Sequence, residues 1–102
     1  MIRVVYTLSA DRITYLKVEG HADHGPYGHD LVCSAVSALT VGGLNNLQQA
    51  NNYQLTVREG YVEVIEKQTS GAHDPIVLET ILTGLRSIAE SYPAHIEIER
   101  KE

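Results

Sequence analysis

The sequence predicts an α+β fold made as one domain over residues 1–102, with a five-stranded mixed sheet and two helices packed on one of its faces. Three observations carry this. Five short segments alternate apolar and polar residues as half-buried strands do, two longer ones repeat apolar residues at helical spacing, and their order is ββαββαβ. A chain of 102 residues has the length of one domain and needs no staples to bury a core.

Residues 2–8 (IRVVYTL) read as the first strand, Ser9–Asp11 as a turn and 12–20 (RITYLKVEG) as the second strand. In the second strand Leu16 and Val18 share a face, with Lys17 and Glu19 opposite. The outer face of the sheet is expected to carry Val5, Ile13 and Ile65 among polar residues, enough apolar surface to allow a dimer interface. A loop is expected from His21 to His29, because Gly25, Pro26 and Gly28 interrupt any period. The first helix is predicted from Leu31 to about Ala50, with Asp30 as N-cap and Val32, Ala35, Val36, Leu39, Gly43 and Leu47 on its buried face. Gly42, Gly43 and Gly84 fall inside predicted helices, where each costs about 1 kcal/mol against Ala; close approach of a neighbouring element is the expected reason.

Two further strands, 53–58 and 61–67, are joined by Glu59-Gly60, a two-residue hairpin signal. The second helix is predicted to open with Asp74 as N-cap and Pro75 at the first helical position. Its buried stripe is Leu78, Ile81, Leu82, Leu85, Ile88 and Tyr92, and Pro93 ends it. The last strand, 94–100, alternates with Ile96 and Ile98 inward.

Composition narrows the function. All six aromatic residues are Tyr, so the core must be mostly aliphatic. The single cysteine excludes an internal disulfide framework and a multi-cysteine zinc finger, and a free thiol suits the cytoplasm. MIRVVYTL lacks the pattern of a signal peptide, and no segment is long and apolar enough to span a membrane. A formal net charge of −5 argues against direct nucleic-acid binding and weakly favours a basic partner.

Three of five histidines and the only cysteine fall within GHADHGPYGHDLVCS, residues 20–34. With Asp30 as N-cap, Cys33 is the third helical residue, near unpaired N–H groups that stabilise a thiolate; the alternative is a small buried hydrophobe. His21, at the end of the second strand, could take the thiol proton and later protonate a leaving amine, or it could simply bond to a backbone carbonyl. Spacing leaves these readings open. Asp30 is either an orienter of His21 or only a cap. Ser37 stands one turn beyond Cys33, within reach of the sulfur or of a substrate oxygen, or bonded back to its own helix like its neighbour Ser34. Gly25, Tyr27 and Gly28 could form a loop that closes over a substrate or a plain connection. The Cys33 amide and a loop glycine amide are candidate oxyanion donors. His21, His24, His29 and Cys33 also supply enough ligands for zinc, but H-x2-H-x4-H-x3-C matches no common zinc spacing. No metal and no cofactor are expected. His73 and His95 lie elsewhere and are expected to be solvated.

GHADHGPYGHDLVCSAVS resembles the signature of the ribosomal-processing cysteine protease (Prp) family: Gly-His-Ala, a short glycine-containing loop, then Gly-x-Asp-Ile-Val-Cys-Ala-Ala-x-Ser. Gly20, His21 and Ala22 match the first part; Gly28, Asp30, Val32, Cys33, Ala35 and Ser37 match the second. Leu31 replaces the usual Ile, and Ser34 stands where Ala is common. The resemblance extends over essentially the whole chain. It implies a cysteine endopeptidase with Cys33 as nucleophile and His21 as its acid–base partner, Asp30 and Ser37 lining the site, and a flexible loop over it. It also implies a cytoplasmic homodimer whose substrate is a ribosomal protein precursor, large-subunit protein twenty-seven, from which a short N-terminal extension is removed. Ribosomal proteins are basic, so the chain's negative charge would assist encounter. The competing readings are a non-catalytic module that docks on the ribosome or its assembly intermediates, and a His/Cys metal-binding protein.

Overall fold

The computed structural model describes residues 1–20 and 31–102 in full and the backbone of 26–30. Its elements are β1 (Ile2–Ser9), β2 (Arg12–Glu19), α1 (Pro26–Leu44), a short 3-10 turn (Ala50–Asn52), β3 (Tyr53–Arg58), β4 (Tyr61–Glu66), α2 (His73–Ser91) and β5 (Ile96–Arg100). The order is the predicted ββαββαβ. The strands form one sheet in the order β3-β4-β2-β1-β5. β1 and β5 run parallel, because α2 carries the chain across between β4 and β5. The remaining pairs are antiparallel, so the sheet is mixed.

The β1–β2 turn places both central residues, Ala10 (φ 51°) and Asp11 (φ 63°), in the left-handed region that tight hairpins require. The register then slips: Thr7 pairs with Tyr15 but Leu8 pairs with Ile13, leaving Thr14 unopposed. This bulge corrects the expectation for Ile13. One extra residue moves the side chains that precede it to the other face. Ile13 is therefore in the core, 4% exposed, and the outer face keeps only Val5 and Ile65 of the three.

The core lies between the sheet and the helices. Ile2, Val4, Leu16, Val18, Val62, Val64 and Ile96 supply the sheet side, and Tyr6 is its one buried aromatic on β1. Val32, Val36 and Leu44 come from α1, and Val77, Leu78, Ile81, Leu82 and Leu85 from α2. Ile88, Tyr92 and Ile98 pack at its margin. On α1, Ala35 is exposed rather than buried, and Thr40 takes a core position instead. The Thr40 hydroxyl donates to the carbonyl of Val36 at 2.8 Å, which satisfies it without water.

Both helix starts differ from expectation. α1 begins at Pro26, whose fixed φ and missing N–H suit the first helical position, so Tyr27, Gly28, His29 and Asp30 are helical. Asp30 is thus the fifth residue of α1 and not its N-cap. The helix stops at Leu44, short of Ala50. α2 starts at His73 with Ala72 as a cap that makes no side-chain hydrogen bond. Asp74 does not cap it. Its carboxylate turns to the segment after α1 and accepts the N–H groups of Gln48 and Gln49, each at 2.8 Å.

The two helices meet closely. A Cβ on Gly43 would lie 2.5 Å from Ile81 Cγ1, and one on Gly84 would lie 2.6 Å from Leu39 Cδ2. Close approach therefore accounts for both glycines. Gly42 faces open space, so that explanation does not extend to it.

Candidate active site

Cys33 is a free, half-buried thiol on the eighth residue of α1. This overturns its expected place in the first turn. A residue so far inside a helix gives its N–H to the carbonyl four residues back, and the unpaired N–H groups lie a full turn away. The dipole argument for thiolate formation is therefore lost, and the Cys33 amide is no longer a candidate oxyanion donor.

What the structure does give Cys33 is a cleft. A cavity of ≈ 140 Å³ separates α1 from the β3–β4 hairpin, and Cys33 stands in its wall. On α1 the residues Cys33, Ser37 and Val41 succeed one another at intervals of four, with Val36 and Thr40 beside them, so one stripe of the helix faces the cavity. The opposite wall is Val57 to Val62, including Arg58, Glu59 and Tyr61. Arg58 lies over the ring of Tyr61, with its guanidinium carbon 4.0 Å from the ring centre. Thus Ser37, an exposed residue, shares the cavity with Cys33 as the spacing suggested.

Gly20 also lines this cleft. It has φ +104°, and a Cβ there would stand 2.5 Å from the Met1 carbonyl oxygen, so no other residue fits without strain. Its N–H donates to the Gly60 carbonyl at 3.0 Å, which ties the end of β2 to the hairpin turn. His21 is the next residue. His21 and Gly25 lie outside the described residues, so the pairing of His21 with Cys33 is not described either. Tyr27 and Gly28, expected in a loop, are in the first turn of α1, and Asp30 follows them.

The other histidines play different parts. His73, expected to be solvated, is half-buried, with Nε2 2.9 Å from the Asn46 carbonyl, to which it donates. His95 is half-buried before β5, and its carbonyl accepts the Ile2 N–H at 2.9 Å. Among the described residues no three His, Cys, Asp or Glu side chains are grouped to hold a metal ion; His21, His24 and the side chain of His29 lie outside that set. No described helix is long and apolar enough to cross a membrane.

Reading from sequence missed Thr40, Val41 and the hairpin wall. Thr40 and Val41 could have been found, since they stand seven and eight residues beyond Cys33 on the same helix face. Nothing local to the hairpin announces that it faces α1.

A thiol in the wall of a narrow cleft, with a hydroxyl one turn away, fits the class of thiol-dependent hydrolases. Comparison with known proteins narrows the class. Residues 1–97 match the family described as cysteine protease Prp, and the chain belongs to that family. It is 30% identical over 106 residues to the ribosomal processing cysteine protease Prp of Staphylococcus aureus, covering 99% of this chain and 100% of the relative. The fold agrees with two crystal structures of the S. aureus protease, each covering 99% of this chain and 100% of the other. One carries a covalently linked product peptide (TM-score 0.83, 30% identity) and one a substrate peptide (TM-score 0.84, 29% identity). A Streptococcus mutans protein has the same fold, with TM-score 0.78 and 25% identity over 98% of this chain and 93% of its own. The chain is a cysteine protease.

Proposed function

We propose that the chain, as a single protease domain, removes the N-terminal extension of large-subunit ribosomal protein twenty-seven with a Cys33–His21 dyad. The observation that carries this is that Cys33 lines the same cleft as Gly20, the residue before His21. His21 takes the Cys33 proton, and the thiolate sulfur attacks the scissile carbonyl carbon. The imidazolium returns that proton to the leaving amine nitrogen as the C–N bond breaks. Water, deprotonated by His21, then hydrolyses the thioester and regenerates the thiol.

Because Cys33 is deep in α1, activation of the thiol rests on His21 rather than on the helix terminus. Ser37 contributes a hydroxyl to the cleft. Asp30 supports the dyad, and Gly25, Tyr27 and Gly28 contact the substrate. The protein works without a cofactor, in the cytoplasm, as a homodimer, in support of ribosome assembly. The test is cleavage of the organism's own ribosomal protein precursor. Wild-type protein is expected to trim it and Cys33→Ala to leave it intact while remaining folded. Full trimming by Cys33→Ala would sink the dyad.

A further inference from the structure

β3 is an edge strand with an unused side. Among the described residues it pairs only with β4. The N–H of Lys67 donates to the Asn52 carbonyl at 2.8 Å, so the backbone of Asn52 faces β4. Antiparallel pairing alternates along the strand, so Gln54, Thr56 and Arg58 face β4 as well. Leu55 and Val57 must then turn their N–H and C=O groups to the open edge.

Their side chains sit on the helix side of the sheet. Leu55 pairs with Val64 and Val57 with Val62, and those two partners are 1% and 7% exposed. Leu55 and Val57 nevertheless remain 36% and 52% exposed. Two apolar side chains on the core face of a sheet are left uncovered because α1 stands back from β3. The gap is the cleft of Cys33, with Val57 on one wall and Val41 on the other. The stripe from Cys33 to Val41 spans eight helical steps, about 12 Å. That is the length of about three to four extended residues.

An open backbone edge, an apolar floor and a thiol at one end together suit one occupant: an extended peptide with apolar side chains. A folded partner would need a broader surface, and a small ligand would leave the edge unpaired. We infer that the substrate docks as an added strand on the open edge of β3, with one apolar side chain held between Val57 and Val41 beside Cys33. This rests on the protease reading above and specifies how that site takes its substrate. The pairing supplies affinity regardless of sequence, and the Val57–Val41 contact selects for apolar residues.

The experiment uses full-length Cys33→Ala protein and a peptide spanning the extension junction of the ribosomal protein. Binding is expected to slow amide hydrogen exchange at Leu55 and Val57. N-methylation of single peptide amides is expected to weaken binding at every second position only, the signature of strand pairing and not of side-chain contact alone. In otherwise wild-type protein, Val57→Glu is expected to raise KM about tenfold or more with a smaller change in kcat. Gln54→Glu, on the opposite and exposed face of β3, is expected to change neither. Unchanged exchange at Leu55 and Val57 with peptide bound, no binding at all, or loss without a two-residue period would overturn the docking mode. The protease reading fails separately: a peptide that protects β3 but is not cut by wild-type protein leaves the docking strand standing and removes the proposed substrate.

Discussion

Asp74 Oδ1 accepts the backbone N–H of Gln48 at 2.8 Å, from a side chain wholly buried at the start of α2. Its second oxygen does the same for Gln49. One carboxylate therefore fixes the chain where it leaves α1 and heads for β3, the two elements that form the walls of the Cys33 cleft.

Removing that carboxylate leaves two N–H groups without acceptors. Asp74→Ala is expected to cost about 2–3 kcal/mol, within the usual range for leaving partly buried donors unpaired. Asp74→Asn should lose stability too, because an amide offers one acceptor oxygen and turns a donor toward the second N–H. Urea denaturation of the three proteins checks this; an Asn variant as stable as wild type would refute it.

Asp74 also illustrates what was legible in the sequence. Asp-Pro before an apolar stripe is a sound helix-start signal, and α2 does begin there. The role of the Asp was not legible, because its partners are 25 and 26 residues away. Ile13 was misplaced for a similar reason: the Thr14 bulge is a property of the β1–β2 pair, which neither strand declares alone. Strand order and the cleft opposite the hairpin likewise depend on tertiary packing. Elements with a strong internal period, such as β1, β4 and α2, were legible because burial on one face imposes that period. At the site, Cys33 and Ser37 were legible as neighbours by helix spacing. The start of α1 was not, since Gly28 and Pro26 read equally well as loop and as first turn.

The three mid-helix glycines should respond differently to Ala. Gly42 meets nothing within 4 Å, so Gly42→Ala is expected to stabilise by about 0.5–1 kcal/mol through helix propensity. Gly43→Ala drives a methyl into Ile81, which is fully buried and stiff, and should destabilise by about 1–3 kcal/mol. Gly84→Ala meets the tip of Leu39, a half-buried side chain that can turn aside, so its cost should fall below that of Gly43→Ala. Thermal unfolding of the three variants tests the order.

Tyr15 should make stability fall at high pH. Burial, then its hydrogen bond to Glu63 (2.8 Å), pushes its hydroxyl up from 10.0 to about 12. The folded protein then holds a proton that the unfolded chain has lost, so the stabilisation is complete below pH 10 and declines as pH rises toward 12. Tyr53 is raised as well, chiefly by burial, and adds to the same slope. Tyr15→Phe is expected to flatten part of the decline, read from unfolding midpoints between pH 9 and 12, roughly the window of the shift. An unchanged slope would mean that Tyr15 ionises alike in both states.

The dyad and the hydroxyl beside it should separate in kinetics. Cys33 lies too deep in α1 for the helix terminus to help, so proton transfer falls to His21 under the proposed mechanism. His21→Ala is then expected to lower kcat by about 10²–10⁴-fold with little change in KM, the usual share of a general acid–base. Ser37 shares the cleft but has no proton to carry in that scheme. Ser37→Ala should cost less than about tenfold in kcat, the loss of one hydrogen bond to substrate. Ser37→Leu narrows the cleft along the Cys33–Val41 stripe and should act on KM instead. Steady-state cleavage of the junction peptide by all three variants tells these apart: a Ser37→Ala defect as deep as that of His21→Ala would place the Ser37 hydroxyl in the chemistry itself.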